Sequence, residues 1–246
     1  AFIGIQNYLD LLKDERFINS VKVTLIYVVT SVPTKLIFAL FVAYLLTQGR
    51  RGVTFYRSLY YVPSLIGGSI AVALVWKTIF SRKGLANTIL ASLGLQKLSW
   101  LGDPKLSMGI LVLMSAWQFG SSMIIFAAGL KEIPGSYYEA AEIDGANKWQ
   151  RFLRITLPCL SPIILYNLVM QTITAFMAFT QAFVITQGGP NDATNFYALY
   201  VYNHAFKWSN MGYASAMSWL MLVLISLITF ILFKSSKFWV FSEADQ

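Results

Sequence analysis

Runs of apolar residues, broken by short polar stretches, dominate the chain. Five of them have spanning length: Val21 to Leu46, Tyr56 to Phe80, Leu106 to Leu130, Ile163 to Thr186 and Met211 to Phe233. Each exceeds the roughly 18 to 20 residues a helix needs to cross about 30 Å of hydrocarbon. In lipid only helices and closed barrels satisfy all their backbone groups. The runs lack the alternation of barrel strands, so the pattern predicts an all-α, polytopic transmembrane helical bundle.

Before the first span, Ile5, Tyr8, Leu9, Leu12 and Phe17 recur close to helical spacing, with Asp10, Asp14, Glu15 and Arg16 between them. This predicts an amphipathic surface helix within residues 1–20, followed by a membrane domain over 21–246. Gly67, Gly68, Gly109 and Gly120 lie inside spans, where small residues let helices approach closely. Pro33 and Pro63 predict kinks.

Composition supports the same class: 57% of residues are hydrophobic and 12% charged, with a mean hydropathy of +0.59, too apolar for a soluble domain of this size. Cys159 is the single cysteine and His204 the single histidine, which leaves no disulfide framework and no ligand set for zinc. The net charge of +8 forms no basic stripe with interleaved aromatics, so it reads as loops near anionic headgroups rather than a nucleic-acid surface. The chain opens with Ala1 and no signal-peptide pattern, and reads as a piece whose own start lies elsewhere.

Charge does not orient the bundle. Arg50, Arg51, Arg57, Lys131, Lys148, Arg151, Arg154, Lys234 and Lys237 fall on one side; Lys13, Arg16, Lys22, Lys77, Arg82, Lys83, Lys97, Lys105 and Lys207 fall on the other. The positive-inside comparison is a tie.

The stretch Lys131 to Ser161 between the third and fourth spans carries helix signals. Ser136 with Glu139 has capping-box spacing, and Pro134 precedes it. Gly145 suits a left-handed helix end, Asn147 and Gln150 can open a second helix, and Pro158 limits how far that helix runs. Ala140 and Ala141 let such a helix lie in a groove of another protein, while Tyr137, Tyr138 and Ile143 supply apolar contact. The alternative is a capped hairpin that merely joins two spans.

Glu139-Ala140-Ala141, then Gly145 after three positions, then Ile155-Thr156-Leu157-Pro158 after nine more, resembles the EAA signature of permeases in binding-protein-dependent ABC importers. Ile143-Asp144-Gly145-Ala146, Phe152, Pro158-Cys159-Leu160-Ser161-Pro162 and Gly188-Gly189-Pro190 look like the carbohydrate branch, whose members import maltose, other oligosaccharides and glycerol phosphate. The resemblance runs from about Tyr8 to the end. It implies a type I ABC importer permease fold, the five spans being the second to sixth of six, in a multi-pass protein of the bacterial cytoplasmic (inner) membrane.

The resemblance also implies roles. Glu139, Ala140, Ala141 and Gly145 would form the helix that docks into a cytoplasmic ATPase, with Leu157 and Pro158 anchoring the return to the membrane; Glu139 would contact that partner or cap its own helix. The loop 131–161 would then be cytoplasmic, and Trp100, Tyr197, Tyr200, Tyr202 and Trp208 on the outer side would meet a binding protein or anchor in the interface. A transient sugar site would draw on Ser115, Trp117, Gln118, Ser122, Asn167, Gln171 and Thr174, with Phe176 or Phe179 as further stacking rings. The competing role for such groups is to join neighbouring helices.

Lys35, the one charge near the middle of a span, is a functional candidate, with snorkelling toward water as the other reading. No GxxxxGK[ST] loop is present to cradle ATP phosphates. Expected partners are a second, non-identical permease, two ATP-binding cassette subunits that hold ATP and Mg, an extracytoplasmic binding protein, membrane lipid and a sugar. The chain itself is expected to bind no cofactor and to be no enzyme. A stand-alone carrier or channel for a small polar solute is the alternative.

Overall fold

The computed structural model describes residues 4–48 and 52–241. Arg50 and Arg51, counted above for one side, lie outside the described residues, as do the outermost residues of the two expected units. All regular elements among the described residues are helices.

The short helix α1 (Gln6–Leu11) is followed by α2 (Glu15–Thr47), which starts six residues before the expected span. The expected surface helix over 5–17 is therefore divided. Asp14 causes the division: its carboxylate accepts the backbone N–H groups of Arg16 and Phe17 at 2.9 and 3.1 Å, the geometry of an N-cap that opens a new helix. Leu11 and Phe17 turn inward, whereas Ile5 and Leu12 stay exposed. At about 1.5 Å per residue, the 33 residues of α2 measure about 50 Å, and the helix runs unbroken through Pro33.

The second apolar run forms two helices, α3 (Val53–Ile66) and α4 (Ile70–Ile79), bent by 98° at Gly67–Ser69. After the short α5 (Leu85–Ser92), the third run is again two helices, α6 (Pro104–Trp117) and α7 (Gly120–Glu132), bent by 45°. The hairpin α8 (Gly135–Ile143) and α9 (Lys148–Arg151) follows, then α10 (Leu157–Phe176), α11 (Tyr197–Tyr202) and α12 (Met211–Ser236). Among the described residues three helical stretches are long and apolar enough to cross a membrane, or up to five if each bent pair is one span.

Breaks at membrane depth expose backbone groups that lipid cannot satisfy, so such groups must find protein partners. The two breaks meet that need from each other. Ser64 Oγ donates to the Gln118 carbonyl at 3.1 Å and accepts from the Ser121 N–H at 3.0 Å, while Gln118 Nε2 donates to the Gly67 carbonyl at 3.2 Å. Gly120 allows the approach: a Cβ there would strike the Tyr60 carbonyl and the Tyr61 Cα. Gly68 and Gly109, expected at helix contacts, have open space where a Cβ would stand.

The main core gathers α2, α4, α6, α7 and α10 around Tyr27, Leu111, Met114, Met123 and Phe126. A second cluster lies at the end opposite the hairpin, where Tyr197 and Tyr200 of α11 pack with Leu11, Phe17, Tyr213 and Met217. Tyr200 and Tyr213 both donate to one Asp14 oxygen at 2.7 Å. Burial pushes the Asp14 pKa up, but the hydrogen bonds from Tyr200, Tyr213, Phe17 and Arg16 outweigh it and hold the carboxyl below its ordinary value. Arg16 clamps Asp192 through two 2.9 Å bonds. Tyr197 and Tyr200, expected to meet a binding protein or to anchor in the interface, are thus buried supports of this end. His204 sits among the rings of Tyr200, Trp208 and Tyr213, 4.5 to 4.6 Å between centroids, and its burial pushes the imidazole pKa down.

Candidate functional site

Helical periodicity brings distant polar residues to one place. On α10, Gln171 and Thr174 share a stripe with Ala175 and Ala178 beyond it; on α2, Tyr27 and Lys35 lie two turns apart on one face; Ser115 and Gln118 stand three residues apart at the end of α6. These residues, with Val32 and Gln181, line one cavity of about 50 Å³. Gln181 Nε2 donates to the Tyr27 hydroxyl at 3.2 Å across it. Pockets that hold small ligands measure about 300 Å³ or more, so the cavity has room for water and not for a sugar ring, and the bundle is closed around it.

Four of the seven expected sugar-site residues therefore meet: Ser115, Gln118, Gln171 and Thr174. Three do not. Trp117 turns to Trp76, with ring centroids 5.9 Å apart. Ser122 lies beyond the α6–α7 break, which resets the helical phase, and Asn167 lies one turn of α10 nearer the hairpin. Both are buried, and Ser122 Oγ and Asn167 Oδ1 have no hydrogen-bond partner among the described residues. The further rings are also occupied: Phe176 is 1% exposed, and Phe179 packs on Phe183 and Tyr202 at 5.1 and 5.0 Å. Tyr27 and Gln181 join the wall unforeseen, because their polar ends are single interruptions in apolar runs.

At the hairpin, Gly145 adopts φ +76°, the left-handed turn that glycine takes without steric cost. Asn147 Oδ1 accepts the Gln150 N–H at 2.9 Å and Gln150 Oε1 accepts the Asn147 N–H at 2.8 Å, a complete capping box at the start of α9. The box expected at Ser136 and Glu139 is absent. Pro134 occupies the N-cap position, so Ser136 is already the second residue of α8 and makes no capping bond.

The chain also does not stop at Pro158. A π-helical turn, Phe152–Thr156, carries α9 into α10, with the Leu157 N–H bonded to the Phe152 carbonyl. The wider turn accommodates a proline that cannot donate, and Leu157 and Pro158 become the first, half-buried residues of α10. Glu142 pairs with Arg151 at 3.2 Å across the hairpin, and the Tyr138 and Thr156 hydroxyls are 2.9 Å apart. Glu139, Ala140 and Gly145 stay exposed, Ala141 is half-buried, and Ile143 stands out with 87% of its surface free.

A helix pair joined to a bundle in this way has known relatives. Residues 12–238 match the model of the family described as binding-protein-dependent transport system inner membrane component. The chain belongs to this family. Among its relatives is a protein of Bacillus subtilis strain 168 named "Probable ABC transporter permease protein YesP", 52% identical over all of this chain and 81% of the relative. The multiple sugar-binding transport system permease protein MsmF of Streptococcus mutans is 33% identical over 96% of this chain and 81% of its own length. In fold, this permease matches a chain from the crystal structure of a bacterial ABC transporter that imports the acidic polysaccharide alginate. The TM-score is 0.87, with 24% identity, over 96% of this chain and 84% of that one. The permease is thus an inner membrane component of a binding-protein-dependent transport system.

Proposed function

We propose that this permease carries a sugar or oligosaccharide across the membrane, handed over by an extracytoplasmic binding protein and driven by ATP hydrolysis in separate subunits. The sugar class is supported by the 33% identical multiple sugar-binding system permease and by a cavity whose amides and hydroxyls suit sugar hydroxyls. In this reading the hairpin end is cytoplasmic. The transporter pairs this chain with a second, non-identical permease and two ATP-binding cassette subunits, and ATP and Mg belong to the latter.

The observation that carries the coupling role is the hairpin's surface. Neither α8 nor α9 has a buried residue, and Ile143 and Trp149 are 87% and 67% exposed at its tip. Exposed large apolar groups beside charged ones, away from the apolar spans, mark a docking surface. Glu139, Ala140, Ala141 and Gly145 form the inserted turn of helix, while Leu157 and Pro158 tie it rigidly to α10, whose Gln171 and Thr174 reach the cavity. Rocking of the ATPase would thereby reach the sugar path through one continuous helix.

Gly145→Pro tests this, because proline fixes φ near −65° where the turn needs +76°. The reconstituted transporter with binding protein and sugar should lose assembly or sugar-stimulated ATP hydrolysis while the variant chain remains folded in the membrane. Unchanged assembly and unchanged stimulation would refute the coupling role.

A further inference from the structure

We propose that Lys35 makes the permease selective for sugars bearing a carboxylate, whose anionic group pairs with the lysine ammonium in the central cavity. The inference rests on the cavity being the sugar's path, as proposed above.

Lys35 is 9% exposed and lines the cavity beside Ser115, Gln118, Gln171 and Thr174. Every one of these neighbours is neutral. Lys35 stands 12 residues before the end of α2 at Thr47 and 20 after its start at Glu15. At about 1.5 Å per residue those ends are about 18 and 30 Å away along the axis. The side chain is buried against the cavity rather than laid along the lipid-facing surface, so snorkelling to the interface does not explain the residue.

An ammonium in a low-dielectric interior is costly unless an anion compensates it. The chain has none to offer at that depth. No Asp or Glu occurs between Glu15 and Asp103, between Asp144 and Asp192, or between Asp192 and Glu243, and Asp103 and Glu132 stand at the two ends of α6–α7. The ion pairs found among the described residues, Arg16–Asp192 and Arg151–Glu142, lie at the opposite ends of the molecule. A neutral sugar would leave the ammonium uncompensated in transit, whereas a uronate supplies its counter-charge and presents its hydroxyls to the surrounding amides. The cavity must widen to admit the ring, and the charge pair forms in the opened state.

The test is uptake by the complete transporter in liposomes, its binding protein saturated with a uronic-acid disaccharide, with the methyl ester of that disaccharide, or with a neutral disaccharide. The natural chain should carry the acid at least tenfold faster than its ester. Lys35→Gln should bring that ratio close to one, and Lys35→Arg should preserve it. Equal rates for acid and ester in the natural chain would overturn the proposal, as would a ratio that Lys35→Gln leaves unaltered. Should the glutamine variant fail to assemble, the acid-to-ester ratio of the natural chain decides alone. Uptake of the neutral sugar with refusal of the acid would overturn the charge selectivity and leave sugar import standing. No ATP-dependent uptake of any of the three would overturn both.

Discussion

The hydroxyl of Tyr200 donates a 2.7 Å hydrogen bond to the carboxylate of Asp14, 186 residues earlier in the chain. Tyr213 reaches the same oxygen, and the other oxygen caps α2, so one side chain joins the first long helix, α11 and the start of α12. Loss of an N-cap costs about 1 kcal/mol and loss of a hydrogen bond to a charged group about 1.5–3 kcal/mol. With the cap and both tyrosine bonds lost, Asp14→Ala should therefore destabilise the folded chain by about 4 kcal/mol or more, read as a lower melting temperature in detergent. The pH dependence follows from the depressed carboxyl. Its contribution is complete above the unfolded pKa near 4 and is lost as pH falls through the lower folded value. The difference between the natural chain and the variant should stay constant from pH 7 to 5 and shrink below pH 4.

The hairpin offers a comparison of two similar sequence signals. Asn147 and Gln150 form a reciprocal cap, while Ser136 caps nothing. Asn147→Ala should cost about 1 kcal/mol locally, which lowers hydrogen-exchange protection over residues 148–151 about fivefold. Ser136→Ala should leave protection in α8 within experimental error. Equal effects of the two substitutions would mean that the α8 start is capped as its sequence suggests.

Glycines in α7 should differ in the same way. At Gly120 a Cβ meets the backbone of Tyr60 and Tyr61, which cannot yield without moving α3; at Gly129 it meets the ends of the Ile163 and Leu160 side chains, which can rotate. Gly120→Ala should destabilise by about 2–3 kcal/mol, in the range of overpacked cores, and Gly129→Ala by about 1 kcal/mol or less. Melting curves of the two purified variants against the natural chain separate these outcomes.

What could be read from the sequence depended on whether the cause was local. The apolar runs of α2 and α12 are local, and both appear as unbroken helices over nearly the expected residues. Gly145 and Asn147 are local as well, since a left-handed turn and a helix cap need only adjacent backbone. Pro63 marks the second span for a kink, but the place and size of the bend at Gly67–Ser69 were not legible, because hydropathy does not register a break whose exposed groups are satisfied by Gln118, 51 residues away. For the same reason the polar residues of the third span were seen as one set, although the break at Gln118 puts Ser115 in the cavity wall and Ser122 elsewhere. Tyr197 and Tyr200 look like interfacial aromatics until Thr24 and Asp14, at the far end of the sequence, are placed beside them.

The cavity wall predicts opposite results for two polar residues of the same apparent kind. Gln171 is half-buried and faces the cavity beside Thr174, so its amide is free to exchange partners as the cavity opens. Gln171→Ala removes that group from the path and should lower ATP-driven sugar uptake about tenfold, the effect of a lost contact of about 1.4 kcal/mol, with assembly intact. Ser122 Oγ is fully buried and has no hydrogen-bond partner among the described residues. Removing a buried hydroxyl in that state relieves a desolvation cost of about 1 kcal/mol or more. Ser122→Ala should leave uptake within about twofold and keep or raise the melting temperature. Both quantities can be read from the same preparations. A large loss of uptake in Ser122→Ala with none in Gln171→Ala would show that the sugar passes on the other face of α7, and the cavity between α2, α6 and α10 would have to be abandoned as its path.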